Sequence, residues 1–470
     1  MIRVALAILA AAVTAVAAGC AQGARTASPI LENVRRIVFL GDSITYGGNY
    51  IDYLDACLAT RLPDRRYELV NLGLPSETVS GLSEPGHAGG AFPRPDLHER
   101  LARALEKARP DLVVACYGMN DGIYYPFGEE RFRAYQDGIR RLVGSARAAG
   151  AKVLLLTPPT FDPVPLKGRT LPAGRSEYRQ PYEGYNEVLD RYAAWLLAAP
   201  AFSREGGMPT PPLRGHVPGA GDNMPSGRRA GHATRDGEGS PGVFVADVHG
   251  PMNRHLAERR RDKPDYLLAG DGVHANAFGH WLFAAAVLEA WGMPAEVDTA
   301  EIDAAARMAA RGRVTGLAAD AEGIRFAWLT PLPMPMDPAW DPKSVELEKV
   351  ADRFNRHRLV VRGAPAARYQ LYEDAALVGT FTREELAAGI NLARLANLST
   401  NRRSLEVLKL VHQRQRLLTD AWLSDVGHKR PGMAKGLPLQ EATQKAADLE
   451  RQIRTLAAPV TLNLRLVAVK

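Results

Sequence analysis

The sequence predicts an α/β protein built on a five-stranded parallel sheet with helices on both faces, followed by a small β unit with helices of its own. Three observations carry that expectation. From residue 35 to about 292, short and wholly apolar runs alternate with stretches of helical periodicity, as in a sheet buried on both faces. After residue 298 the runs become short alternations of apolar and polar residues between turn signals, the pattern of antiparallel strands. The length of 470 residues exceeds what one core usually supports, so two or more structural units are expected.

The first element is a targeting signal. Met1-Ile2-Arg3 precedes an apolar run from Val4 to Ala18 that closes in Ala17-Ala18-Gly19-Cys20. A positive start, a short apolar core and small residues before the break read as an export signal, residues 1–19, because a membrane span needs about 20 apolar residues. The ending is similar to a bacterial lipoprotein signal, in which cleavage before Cys20 is followed by lipidation of its thiol. Ala17 stands where that pattern usually has Leu, and simple secretion is the alternative. Residues 20–33 form a tether, and the mature protein is expected in the periplasm or anchored to a membrane.

The α/β unit spans residues 34–298. Its strands are expected at Arg36 to Leu40, Tyr67 to Leu72, Leu112 to Tyr117, Lys152 to Thr157 and Val243 to Val248. Between the first two, Ile51, Leu54, Leu58 and Leu62 recur at helical spacing, and "DLHERLARALEKA" and "ERFRAYQDGIRRLVGSARAAG" do the same before later strands. Residues 203–242 hold ten Gly and six Pro with few apolar residues, which marks a flexible surface insertion. His216 and His232 within it read as solvent-exposed bystanders, with a substrate-covering lid as the alternative. Cys57 and Cys116 fall in apolar segments and read as buried free thiols, although export would permit a disulfide.

The small β unit covers residues 299–395 and includes "VTGLAADAEGIRFAWLTP", "HRLVVRGAP" and "ARYQLYEDAALVGTFT". Residues 396–470 carry one helix beginning near Ser399, a second around Leu439 to Leu456, and the closing strand "VTLNLRLVAV", which needs a partner and is expected to return to the small β unit. The basic helix face from Arg402 to Arg416 reads as a solvated surface.

Composition narrows the function. With 46% hydrophobic and 24% charged residues the chain is ordinary globular protein, and its +7 charge is spread over the whole length. No basic run with interleaved aromatics occurs, which argues against nucleic-acid binding. No Cys-x-x-Cys or His-Glu-x-x-His pattern occurs and the histidines are scattered, which argues against a dedicated metal site.

Chemistry is concentrated at the carboxyl ends of the expected strands, where sheets of this type place reactive groups. "FLGDSITYGG" runs a strand abruptly into a turn at Gly41-Asp42-Ser43, leaving Ser43 at a strand end. Gly73 follows the second strand, where a missing side chain lets a backbone N–H approach a ligand. Gly118 and Asn120 follow the third, and Asn120 offers a side-chain amide. Past the fifth come Asp271 and His274, spaced so that the carboxylate can accept from one imidazole nitrogen while the other faces Ser43. A nucleophile, a base, an orienting acid and oxyanion donors are the set that acyl transfer requires. Asp42 reads as structural.

With Gly41-Asp42-Ser43-Ile44, Gly73, Gly118-x-Asn120-Asp121 and Asp271-x-x-His274 in order, the chain resembles the SGNH hydrolases, also called the GDSL esterase/lipase family, over about residues 34 to 295. Ile44 replaces the usual Leu, and Ser76 stands where a second glycine often follows. The resemblance implies the SGNH-type, flavodoxin-like three-layer αβα fold and a catalytic triad of Ser43, Asp271 and His274. It implies an oxyanion hole from the backbone of Ser43 and Gly73 with the Asn120 amide, and no cofactor. It further implies a serine esterase acting through a Ser43 acyl-enzyme and, together with the export signal, small acyl groups such as acetyl on carbohydrates as its substrate class. Lysophospholipid or lipid hydrolysis, acyl transfer to a sugar hydroxyl, and a carbohydrate-binding protein with a vestigial site are the alternatives. In "DGIYYPFGEE", Tyr124, Tyr125 and Phe127 read either as a platform for a sugar ring or as core packing.

Overall fold

The run RIVFLG forms β1 (Arg36–Gly41), paired in parallel with β2 (Glu68–Asn71) on one side and β3 (Leu112–Cys116) on the other. The protein is described by a computed structural model covering residues 29–198, 242–320, 323–426 and 435–469. Cys20, His216, His232 and nearly all of the 203–242 insertion lie outside the described residues. β4 (Lys152–Leu156) and β5 (Val243–Ala246) complete a five-stranded, all-parallel sheet of order β2-β1-β3-β4-β5. Each strand lies within a residue or two of the expected run, because an unbroken apolar stretch of that length can be buried only between two helical layers.

Those layers are α1 (Ser43–Gly47), α2 (Asn49–Arg61), α3 (Leu97–Ala108), α4 (Glu129–Ala148), α5 (Tyr185–Leu197), α6 (His249–Asp262) and α7 (Ala277–Ala290). Local capping sets their starts. Asp96 accepts the His98 N–H at 2.9 Å at the head of α3, and Asn276 accepts the Gly279 N–H at 2.9 Å at the head of α7. Cys57 and Cys116 are buried free thiols.

After α7 the chain builds two sheets. One has the order β13-β10-β6-β7, from β6 (Glu296–Asp303), β7 (Met308–Arg311), β10 (Arg356–Arg362) and β13 (Ile390–Asn391). The other has the order β12-β11-β14-β9-β8, from β8 (Arg313–Asp320), β9 (Gly323–Thr330), β11 (Arg368–Glu373), β12 (Ala376–Thr382) and β14 (Val460–Ala468). The closing strand β14 runs antiparallel between β9 and β11. One pairing departs from the antiparallel expectation: β10 is parallel to β6. The chain between them includes β7, β8 and β9, long enough to return to the same end of the sheet.

In the last two helices, α11 (Ser399–Asp425) and α12 (Leu439–Ala457), Arg402, Lys409 and Arg416 are exposed, as expected of a solvated basic face, but Arg414 is not. (α8, α9 and α10 are the short helices Pro342–Leu347, Val350–Phe354 and Arg383–Ala388.) Arg414 is buried and forms ion pairs with Asp55 of α2 and Glu450 of α12, and Gln415 donates to Asp55 Oδ2 at 2.6 Å and to the Leu69 carbonyl at 3.2 Å. The physical reason is the edge strand β2, whose flank α11 covers. Trp422 and Val426 of this region join the same core as the parallel sheet, so the helical pair is packed into the α/β unit.

Candidate active site

Asp42 sets the position of Ser43, the expected nucleophile. Its Oδ1 accepts the Ile44 N–H at 2.9 Å, which starts α1 at Ser43. The Asp42 side chain is buried, and loss of water, reinforced by the charge of Asp121, pushes its carboxyl up to about 7. As a first-turn residue Ser43 has no helical acceptor for its backbone N–H, and among the described residues that N–H donates to nothing.

The turn before α7 brings the other two residues to Ser43. His274 Nε2 lies 2.7 Å from Ser43 Oγ, and His274 Nδ1 lies 2.6 Å from Asp271 Oδ2. The second carboxylate oxygen, Asp271 Oδ1, accepts the backbone N–H groups of Val273 at 3.0 Å and His274 at 2.8 Å. Partial burial raises the Asp271 carboxyl, but the bonds from His274 and the two backbone donors outweigh it and hold the group below the usual carboxylate range. Both side chains are more than half exposed, 52% for His274 and 56% for Asp271, so the line of three opens to the surface.

The oxyanion side differs from expectation at Gly73. Its N–H donates to Asn71 Oδ1 at 2.9 Å and is therefore occupied, while Asn71 Nδ2 holds the Thr45 carbonyl at 2.8 Å. A Cβ at Gly73 would sit 2.2 Å from the Tyr46 nitrogen, so glycine is required for this loop to pack on the backbone of α1. Three residues on, Ser76 adopts a left-handed conformation, φ +68°, and its N–H donates to no group among the described residues. The carbonyl of the next residue, Glu77, accepts from Asn120 Nδ2 at 3.2 Å. Asn120 is buried, and the Tyr124 hydroxyl donates to its Oδ1 at 3.1 Å, which fixes the amide's orientation.

Beneath this loop lies a network that sequence reasoning missed. Arg100 donates to Glu77 through Nε and Nη2, both at 2.7 Å, and to the Leu72 carbonyl at 2.7 Å, while the Tyr117 hydroxyl donates to Glu77 Oε2 at 2.7 Å. All three side chains are buried, so the bidentate pair clamps the Leu72–Glu77 loop from below. Asp121 serves the neighbouring loop by accepting the Ser80 and Gly118 N–H groups, each at 2.8 Å. The Ser76 turn had a signal in the sequence, a serine in a glycine's place; the Glu77–Arg100 pair had none. Of the three aromatics, Tyr124 stacks on Tyr185 at 4.9 Å, Phe127 packs on Phe132 at 5.5 Å and Tyr125 lies 5.2 Å from Tyr178. Among the described residues no group of three His, Cys, Asp or Glu side chains is placed to hold a metal ion.

A doubly covered parallel sheet with this arrangement at its carboxyl edge defines a carboxylic ester hydrolase of the SGNH class. Residues 39–238 match the family described as GDSL-like Lipase/Acylhydrolase, and this part of the chain is a domain of that family. Among solved structures, the chain is similar to BT4096, a gut microbial diltiazem-metabolizing enzyme, at 20% identity and a TM-score of 0.67, covering 95% of this chain and 100% of that one. That likeness shows that the fold, including the two C-terminal sheets, is shared along the chain. Axe2, an acetylxylan esterase from Geobacillus stearothermophilus, matches at 18% identity and a TM-score of 0.33 over 55% of this chain and 95% of its own. LAE5, an alpha/beta hydrolase enzyme from the metagenome of Lake Arreo, Spain, matches at 22% identity and a TM-score of 0.33 over 55% and 95%. No curated protein matches the chain.

Proposed function

We propose that the protein is an exported serine esterase that removes small acyl groups, such as acetyl, from carbohydrates. The observation that carries the mechanism is the continuous line Ser43–His274–Asp271, with separations of 2.7 and 2.6 Å. His274 Nε2 takes the Ser43 proton as Oγ attacks the ester carbonyl, and Asp271 accepts from Nδ1–H and stabilises the imidazolium. Collapse of the tetrahedral intermediate expels the alcohol, which receives the proton from His274 and leaves an acyl group on Ser43. Water, deprotonated by His274, then attacks that ester; the acid departs and Ser43 regains its proton.

The oxyanion in both steps is held by the backbone N–H of Ser43, the Asn120 amide and the backbone N–H of Ser76. Ser76 takes the part expected of Gly73 because its amide has no acceptor among the described residues. The surface position of Asp271 and His274 supports a bulky alcohol, since a polymer can reach the ester without entering a tunnel. Export rests on the charge and apolarity of residues 1–19, and anchoring on Cys20. Incorporation of labelled fatty acid, lost in Cys20→Ala, would check the anchor.

Hydrolysis of p-nitrophenyl acetate, butyrate and decanoate tests the reading, with Ser43→Ala as control. Rates should be highest on acetate and vanish in the variant; preference for decanoate would replace carbohydrate esters with lipids, and equal rates in both proteins would remove Ser43 from the reaction.

A further inference from the structure

Arg94 lies beside the oxyanion loop and has no part in the mechanism above. Thr78 N–H donates to the Pro95 carbonyl and Leu97 N–H to the Thr78 carbonyl, both at 3.0 Å, so residues 94–96 run alongside the segment that leaves Ser76 and Glu77. The guanidinium sits over the Tyr124 ring, 5.5 Å from its centroid, and Tyr124 in turn holds Asn120. Nε and Nη2 donate to Glu84 at 2.6 and 2.8 Å. Only 8% of the residue is exposed, yet Nη1 donates to no described group and is not sealed from solvent. The contact chain Arg94–Tyr124–Asn120 places the guanidinium beside the amide assigned to the oxyanion.

Holding a buried arginine this way has a chemical consequence. Glu84 balances its charge and fixes its plane, leaving one rigid N–H₂ group on an ion pair of no net charge. Such a donor suits a neutral oxygen, whereas a carboxylate would meet Glu84 at close range.

We propose that Arg94 recognises a hydroxyl or ring oxygen of the sugar that carries the ester, through the open Nη1 group that Glu84 neutralises and orients. This rests on the carbohydrate-ester reading and names the residue that selects for it.

The test is a ratio of kcat/KM values for a singly acetylated methyl xyloside and for p-nitrophenyl acetate, whose alcohol has no hydroxyl for Arg94 to bind. Arg94→Gln should lower the xyloside value about tenfold more than the p-nitrophenyl acetate value, the size of one net hydrogen bond. Equal losses on both esters would overturn the proposal. A wild-type protein that hydrolyses p-nitrophenyl acetate but not the xyloside would instead overturn the carbohydrate reading beneath it. Glu84→Gln supplies a second measurement that does not depend on how Arg94→Gln folds. It restores net charge to the guanidinium and should raise kcat/KM for mono-p-nitrophenyl succinate several-fold relative to p-nitrophenyl acetate; an unchanged ratio would count against a neutralised donor facing the substrate.

Discussion

Two acid–histidine pairs in this molecule have nearly the same contact and opposite environments. Asp271 and His274 are 2.6 Å apart and three residues apart; Asp52 and His412 are 2.7 Å apart and 360 residues apart. The histidines are similarly exposed, at 52% and 46%, but the carboxylates are not, at 56% for Asp271 and 8% for Asp52. Asp271 keeps water and gains two backbone donors, so it stays below the usual range, whereas burial pushes Asp52 up to about 6 despite its bond to His412. Contact distance alone therefore does not tell a pair proposed to steer a proton from one that fastens a helix. The first pair faces Ser43; the second joins α11 to α2, next to the buried Arg414–Asp55 pair.

Removing residues from each region should separate the two roles. The largest effect is expected for Ser43→Ala, which should lower kcat by about 10⁴-fold or more while the melting temperature stays near that of the wild type. A variant retaining a tenth of the rate would break the assignment. Next comes Arg414→Ala, which leaves the buried Asp55 with the Gln415 amide but no cation, and Glu450 with Arg454 alone, and should cost about 3 kcal/mol in denaturant unfolding. If that loss were absent, α11 would not be fastened by this cluster. Asn120→Ala should lower kcat roughly a hundredfold, about 3 kcal/mol of barrier, with the circular dichroism spectrum preserved. Undiminished turnover would take Asn120 out of the oxyanion hole.

The smallest effect concerns pH. The bond to Asp52 raises His412 above its ordinary value of 6.5. A histidine raised in the folded chain contributes fully below its unfolded value and loses that contribution as pH rises through the folded one. The melting-temperature gap between wild type and His412→Gln should therefore be wider at pH 6 than at pH 8.5. His412 is half solvated, so the difference is well under about 1 kcal/mol. Equal gaps at both pH values would mean that the pair carries no charge-dependent stability.

The same comparison explains what could be read from the sequence. Asp271 and His274 are legible because three residues of one turn suffice to join them, and the five strands because unbroken apolar runs have no other place to go. Asp52 and His412 belong to segments whose meeting depends on the edge strand β2 needing a cover, which no local pattern records. Gly73 shows an intermediate case: the glycine is required, but for backbone packing against Tyr46, and the open amide falls at Ser76 because a positive φ can be inferred from a glycine and is hidden by a serine. Arg414 departs from its solvated neighbours for a further reason, since a basic residue on a helix face stays solvated only when no carboxylates lie opposite it, and Asp55 and Glu450 do.

The most direct measurement is covalent trapping with a fluorophosphonate ester, read as the intact mass and the modified peptide. One adduct per chain on Ser43, absent in Ser43→Ala and formed much more slowly in His274→Ala, is the expected result. A label on another residue, or equal labelling of Ser43 without His274, would contradict the nucleophile and base assigned to this site.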